Sequence, residues 1–113
     1  TGEALRKIYS SCGTFLCSSW HEGLGMPAME AMMCGTALVT TDTGGSWDYA
    51  LNEETALVSP SKDPEGLAKN LARILGDDSL RLKLAETGYQ KIRQFSWDTN
   101  CAHLIKCFEK FYK

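Results

Sequence analysis

The segment that decides the fold lies near the amino terminus, where residues 14–41 read TFLCSSWHEGLGMPAMEAMMCGTALVTT. Two short apolar runs, at 14–18 and 37–41, enclose a glycine-containing loop and a stretch that opens with Pro27 and stops at Gly35. Because proline fits the first helical turn and glycine the helix end, this stretch predicts a helix between two strands. Neighbouring strands connected by a helix run parallel. The segment therefore predicts a βαβ unit.

The flanking sequence extends this pattern in both directions. The other predicted elements are, in chain order, an amphipathic helix ending near Gly13, a short helix capped by Ser46 that runs through Trp47 and Tyr49, a strand at 56–58, and helices that start at Asp63-Pro64, at Asp78-Ser79 and after Ser96. Strands that are apolar on both faces and separated by helices indicate a parallel sheet covered on each side. We therefore predict an α/β fold.

Composition restricts the class of protein. A chain of 113 residues with 43% hydrophobic and 23% charged residues predicts one ordinary globular domain. The formal net charge of -2 provides no basic field for nucleic acid. No run reaches the length of a membrane span, and the amino terminus lacks the features of a signal peptide. The sequence predicts a cytoplasmic protein that does not bind nucleic acid.

The cysteines and histidines do not form a recognisable metal site or disulfide framework. The five cysteines are odd in number and lack Cys-x-x-Cys spacing, and the two histidines lie far apart. We expect free, buried thiols and no bound metal. We also assign to the core the methionines Met26, Met29, Met32 and Met33 and the aromatic residues Trp47, Trp97, Phe108 and Phe111.

The order of elements implies a larger sheet. The chain opens with a helix that no strand precedes, and three strands make a thin sheet for so many helices. We therefore expect residues 1–113 to be the second half of a doubly wound domain whose first half lies upstream. The uncovered strand edge of such a piece favours self-association.

The ligand site is predicted at the carboxyl ends of the first two strands, where open parallel sheets bind ligands. The loops there are residues 19–25 and 42–45. Gly23 and Gly25 let the backbone turn tightly and approach a ligand. Free N–H groups around Met26 and the positive end of the helix dipole favour an anion, and phosphate is its natural form.

Two carboxylates frame this loop, with Glu22 before the helix and Glu30 on it. Carboxylates repel a phosphate, but they accept hydrogen bonds from hydroxyl groups beside one. A phosphate flanked by polyols describes a nucleotide sugar. Each feature also has a structural interpretation, because glycine loops are common packing devices and lone glutamates are usually solvated. Their joint position at a strand end favours the binding site, and we expect Glu22 and Glu30 to border one cavity there.

The stretch from Ser18 to Gly45 resembles the donor-site signature of the large retaining glycosyltransferase family that includes glycogen and sucrose-type synthases. The shared features are Glu22 and Glu30 with seven residues between them, Gly-Leu-Gly-Met-Pro within that interval, Glu30 to Thr36 on the helix, and Thr41 to Gly45 after the next strand. The resemblance continues through residues 55–60, Asp63-Pro64 and residues 95–97, so it covers nearly the whole chain.

The resemblance implies the GT-B architecture, in which two Rossmann-like domains face each other. Residues 1–113 would form part of the carboxyl-terminal, nucleotide-sugar-binding domain, a parallel sheet flanked by helices. The implied activity is metal-independent transfer of a sugar, with retention, from a nucleotide diphosphate sugar to an acceptor that the sequence does not identify. The acceptor-side domain and the basic residues that usually clamp the diphosphate are not in this chain. We therefore expect the chain alone to be inactive.

The resemblance also implies individual roles. Glu22 would contact hydroxyls of the donor sugar and is the candidate catalytic residue, whereas Glu30 would contact the ribose. The glycine loop of Gly23, Leu24, Gly25 and Met26 would approach the sugar and diphosphate through its backbone amides. No cofactor beyond the donor substrate is expected.

The sequence departs from the family pattern at Ala37, Asp48 and Ala56, none of which is a proposed ligand contact. Trp20 and His21 adjoin Glu22, although packing or solvent exposure is the simpler interpretation of both. Two alternative functions are a non-catalytic, truncated Rossmann-like binding module and a nucleotide-sugar epimerase. The intact glutamate pair argues against a degenerate module but not against a truncated one, and the motif fits a transferase better than an epimerase.

Overall fold

Three parallel strands and five helices make up the part of the chain that this computed structural model describes, residues 2–112. In chain order they are α1 (Gly2–Ser11), β1 (Thr14–Cys17), α2 (Met26–Met33), β2 (Ala37–Thr41), β3 (Ala56–Ser59), α3 (Pro64–Leu75), α4 (Asp78–Ile92) and α5 (Trp97–Phe111). The α/β class and the positions of the three strands along the chain are as predicted.

The strands form one sheet in the order β1-β2-β3, with both pairs parallel. Thr14 pairs with Ala37, and Leu38 pairs with Ala56. All five residues of the central strand β2 are buried, because helices cover the sheet on both faces. Parallel pairing brings the loops that follow β1 and β2 to the same end of the sheet.

Two apolar clusters hold the helices on the sheet. On one face, Met32 of α2 packs with Leu38 of β2. On the other face, Ile74 of α3 packs with Val39. The long helix α4 contributes Ile92 to the first cluster and Leu84 to the second, so it ties the two faces together.

Side-chain caps start three of the helices. The carboxylate of Asp63 accepts from the Gly66 amide at 2.9 Å, and that of Asp77 accepts from the Leu80 amide at 2.9 Å. The hydroxyl of Ser96 accepts from the Thr99 amide at 3.1 Å. Each cap satisfies an amide that would otherwise lack an intrahelical partner. The predicted starts of α3, α4 and α5 agree with these positions to within one residue.

The short helix predicted after Ser46 is wrong, because the chain forms only a turn there. The amides of Tyr49 and Ala50 both donate to the Ser46 carbonyl, at 3.1 and 2.8 Å. The hydroxyl of Thr55 then donates to the Tyr49 carbonyl and accepts from the Leu51 amide. These bonds occupy the backbone groups that a second helical turn would need.

The assignment of four aromatic side chains to the core is also wrong. Trp97 is 85% exposed, and Phe111 and Phe108 on the same helix are also exposed. The helix α5 contains no buried residue, because no other described element covers its apolar side. Trp47 lies in the turn after β2 and is 66% exposed.

The cysteines and methionines meet the expectations only in part. All five thiols are free, but three are exposed and two are partly buried, so the predicted burial is wrong. Met32 is buried and Met29 packs beside the core, whereas Met26 and Met33 are exposed. None of the helices within residues 2–112 combines the length and the apolar character needed to cross a membrane.

Candidate functional site

The loop after β1 (residues 18–25) and the turn after β2 (residues 42–45) lie against each other at the carboxyl end of the sheet. The Glu22 amide donates to the Thr43 carbonyl at 3.1 Å. A side chain at Gly45 would collide with the backbone of Glu22 and Gly23, so only glycine allows this approach. The predicted meeting of the two loops is confirmed.

The carboxylate of Glu22 is held by its own loop. Ser19 donates its hydroxyl to Glu22 Oε1 at 2.7 Å. The carbonyl of Ser19 in turn accepts from the hydroxyl of Thr41, a buried residue at the end of β2. The central strand thus supports the loop that carries Glu22, while the side chain itself stays partly exposed.

Glu22 borders a depression of about 290 Å³ at this end of the sheet. It is lined by residues 15–19, Glu22, Gly25, Pro27, Ala28, Thr40, Thr43 and Tyr49. Thr43 is only 3% exposed, and its Oγ1 has no hydrogen-bond partner among the described residues. A buried hydroxyl without a partner is costly, and a polar ligand group in the depression would relieve that cost.

Tyr49 lies under the glycine loop. Its side chain is buried, and its hydroxyl donates to the Leu24 carbonyl at 2.6 Å and approaches the Gly25 carbonyl at 3.4 Å. Burial, with smaller contributions from Cys17 and the Glu22 carboxylate, raises the pKa of Tyr49 to about 12. The hydroxyl therefore keeps its proton at neutral pH and acts as a donor.

The start of α2 has the features of an anion site. Gly25 has a φ of 82° and supplies no side-chain cap. The amides of Leu24, Gly25 and Met26 donate to none of the described residues, and Pro27 has no N–H to offer. Unpaired donors at the positive end of a helix dipole attract a phosphate or carboxylate.

Glu30 does not share the depression of Glu22, so the expectation that both carboxylates border one cavity is wrong. Glu30 lines a second depression, between α2 and α1, together with Arg6 and Tyr9. The Tyr9 hydroxyl makes a long contact of 3.5 Å with Glu30 Oε2. Burial and the nearby Glu30 charge raise the pKa of Tyr9. Glu30 therefore lies on the side of α2 that faces α1.

Trp20, His21 and Trp47 do not line the depression that Glu22 borders. Trp20 is 67% exposed, and the Lys62 ammonium lies 5.1 Å from its ring centroid. His21 packs beside Gly44. The indole N–H of Trp47 donates to Asp42 Oδ1 at 2.7 Å. Packing and solvent exposure, the simpler interpretations, account for Trp20 and His21.

The sequence does not predict a role in this site for three residues: Ser19, Thr43 and Tyr49. Thr43 belongs to the turn motif after β2, and Tyr49 belongs to the predicted short helix. Hydroxyl residues at strand ends were a usable signal for Ser19 and Thr43, because such ends carry binding groups. No local signal marks Tyr49, whose contact with Leu24 spans 25 positions of sequence. In the described part of the chain, no group of three or more potential ligands could hold a metal.

A family model and two curated proteins that match this chain all belong to the same class of enzyme. Residues 1–91 match the family model described as "Glycosyl transferases group 1". The chain is 31% identical over 108 residues to a D-inositol 3-phosphate glycosyltransferase of Salinispora tropica, covering 96% of this chain and 22% of that protein. It is 31% identical over 107 residues to the O-antigen chain mannosyltransferase B of Escherichia coli, covering 95% of this chain and 28% of that protein. The chain therefore spans about a quarter of the length of these relatives.

Two solved structures have the same fold. Sucrose-phosphate synthase from Thermosynechococcus elongatus superposes with a TM-score of 0.84 at 29% identity, over 97% of this chain and 28% of that one. The C-terminal domain of a group 1 glycosyl transferase from Francisella tularensis gives 0.71 at 29% identity, over 77% of this chain and 45% of that one. The three-stranded sheet and its helices match the carboxyl-terminal domain of GT-B glycosyltransferases.

Proposed function

The chain belongs to the glycosyl transferases group 1 family, and from this premise we propose that it forms the donor-binding part of a glycosyltransferase. The proposed reaction transfers a sugar, with retention of anomeric configuration, from a nucleotide diphosphate sugar to an acceptor. The names of the relatives, which include a mannosyltransferase and an inositol phosphate glycosyltransferase, support the reaction class and leave the acceptor open.

The observation that carries the proposal is the set of unpaired amides at the start of α2, beside the depression that Glu22 and Thr43 line. Amides fixed at a helix start are preorganised for a diphosphate that gains charge as it leaves. The proposed reaction needs no metal ion, because these amide donors would stabilise the leaving diphosphate directly.

The carboxylate of Glu22 is held in place by its loop and can accept hydrogen bonds that orient the sugar. Its carboxylate accepts from Ser19 at 2.7 Å and has further lone pairs for the hydroxyls of a sugar. We propose that Glu22 fixes the donor sugar and stabilises positive charge that develops at its ring. Glu30, in the neighbouring depression, is proposed to accept from the ribose.

The test uses the intact protein, meaning the full-length glycosyltransferase of which we propose residues 1–113 form part. It measures release of nucleoside diphosphate from a panel of nucleotide diphosphate sugars. We expect turnover with at least one donor, and we expect Glu22→Gln to lower it by about a hundredfold, the usual effect of removing one preorganised electrostatic contact. Glu65→Gln, an exposed change on α3, is the matched control and should leave turnover unchanged.

The products separate the proposal from its alternatives. Appearance of an epimerised donor would identify an epimerase, and binding without turnover would identify a binding module. Either result, or equal turnover in the wild type and Glu22→Gln, would contradict the proposed function.

A further inference from the structure

The buried side chain of Tyr49 contacts the backbone of the glycine loop. Tyr49 is 1% exposed and comes from the segment after β2, whereas the loop it contacts follows β1. Its hydroxyl donates to the Leu24 carbonyl at 2.6 Å. This contact is shorter than most bonds between a hydroxyl and a carbonyl, and it is partly buried. It fixes the orientation of the peptide that joins Leu24 to Gly25.

Fixing this carbonyl also fixes the neighbouring N–H group. In a trans peptide the C=O and N–H bonds point in opposite directions. Because the Leu24 carbonyl points at Tyr49, the Gly25 N–H points away from it, toward the side of the loop where it meets no described acceptor. The amides of Leu24 and Met26, on either side, also have no described acceptor. An anion bound there would meet donors that are already aligned.

The loop and the tyrosine are fitted to each other. A Cβ atom on Gly25 would lie 2.6 Å from the Tyr49 hydroxyl, so no other residue fits above that oxygen without displacing it. The left-handed backbone of Gly25, with a φ of 82°, also requires glycine. The close approach of the loop backbone to the hydroxyl therefore depends on the residue type at both positions, Gly25 and Tyr49.

We infer that Tyr49 is a positioning residue for the diphosphate: its hydroxyl holds the Leu24 carbonyl so that the amides of Gly25 and Met26 face the bound phosphate groups. The inference rests on the proposed function. Tyr49 acts through the loop backbone and takes no part in bond making. Its removal should weaken the part of the ligand that meets the amides and spare the part that does not.

The experiment measures binding by the intact protein of two probes, a nucleoside diphosphate that the wild type binds and the matching nucleoside. We expect Tyr49→Phe to raise the Kd of the diphosphate about tenfold and to change that of the nucleoside less than twofold. Incorporation of 4-aminophenylalanine at the same position keeps a donor there and should restore most of the affinity. Tyr89→Phe is the control, because it removes a tyrosine hydroxyl from a separate depression lined by α1, α2 and α4.

Each other outcome counts against the inference. An unchanged Kd for the diphosphate in Tyr49→Phe would overturn it and leave the proposed function standing. Equal weakening of both probes, or failure of Tyr49→Phe to fold, would assign the hydroxyl to the fold instead of the diphosphate. Absence of any nucleoside diphosphate binding by the wild type would overturn the proposed function and this inference together.

Discussion

Glu22 and Glu30 face different depressions, and this separation predicts different effects of their removal. Glu30→Ala should weaken binding of the free nucleoside diphosphate by about 1–3 kcal/mol, because a charge-assisted bond to the ribose is lost. Glu22→Ala should spare the free nucleotide and depress turnover of the nucleotide sugar. Calorimetry and a turnover assay on the intact protein measure the two effects. Equal loss of nucleotide affinity in both variants would refute this division of roles.

The unpaired hydroxyl of Thr43 gives a second prediction. Thr43→Val replaces a buried group without a partner by a methyl group, so the free energy of unfolding should stay constant or rise by up to about 1 kcal/mol. Donor affinity should fall, because the ligand loses a hydrogen-bond partner. Chemical denaturation and calorimetry measure the two quantities on the same variant.

Thr40→Val is the matched control for this change. Thr40 is equally buried, but its hydroxyl donates to the Thr41 carbonyl at 2.9 Å. Its replacement should cost about 1 kcal/mol of stability, since a satisfied bond is lost. A Thr43 variant that is destabilised like the Thr40 variant and keeps its donor affinity would show that the Thr43 hydroxyl has no ligand.

At the scale of residues, the sequence predicted the groups that lie in one continuous motif. Glu22, Gly25 and the start of α2 follow from the order strand, loop and helix, which is local in sequence. Tyr49 did not, because its role arises only when parallel pairing brings the segments after β1 and β2 together. The separation of Glu30 from Glu22 also escaped prediction, since it depends on which side of α2 the helix α1 packs.

Among the helices, α2 differs from its neighbours at its start. Three helices begin with a side-chain cap, whereas α2 begins with the left-handed Gly25 and leaves its first amides open. An uncapped helix start costs stability that a cap would supply. The difference is explained if a ligand takes the place of the cap.

The caps can be tested at two adjacent residues of α4. Asp77→Ala should lower the free energy of unfolding by about 1 kcal/mol, because the Leu80 amide loses its acceptor. Asp78→Ala should lower it by less than half as much, because its largely exposed carboxylate forms an ion pair with Arg81 and caps no amide. Urea denaturation of both variants measures the difference. Equal effects would show that the cap at Asp77 does not stabilise α4.

Element prediction failed where a local pattern had two structural outcomes. Ser46 is a residue type that commonly caps helices. The Thr55 hydroxyl, however, bonds to the Tyr49 carbonyl and the Leu51 amide, which a further helical turn would use. The apolar stripe of α5 predicted its helix correctly and its burial wrongly, because amphipathicity fixes which side can be buried and not whether a partner is present.

At the scale of the whole molecule, two apolar features remain uncovered within residues 2–112. The strand β1 pairs on one side only, and the α5 side chains of Phe108 and Phe111 are exposed. We predict that the 113-residue chain on its own self-associates at micromolar concentrations and shows no transferase activity. Unpaired strand edges and apolar patches both promote association.

Analytical ultracentrifugation tests the first part of this prediction. The double variant Phe108→Glu and Phe111→Glu should shift the chain toward monomer, whereas Lys106→Glu on the same helix should not. A wild-type chain that sediments as a monomer at every concentration would contradict the prediction. Saturable donor turnover by the 113-residue chain would contradict the second part.

The bond from the Glu22 amide to the Thr43 carbonyl has a consequence for hydrogen exchange. This amide should exchange with solvent deuterium only when the two loops separate, because a bonded proton is released by local opening. The amides of Leu24, Gly25 and Met26 lack such a bond and should exchange quickly in the free protein. One short loop thus contains both a reporter of its own opening and three reporters of occupancy. A bound diphosphate should slow the three and leave the rate at Glu22 to follow the stability of the contact between the loops.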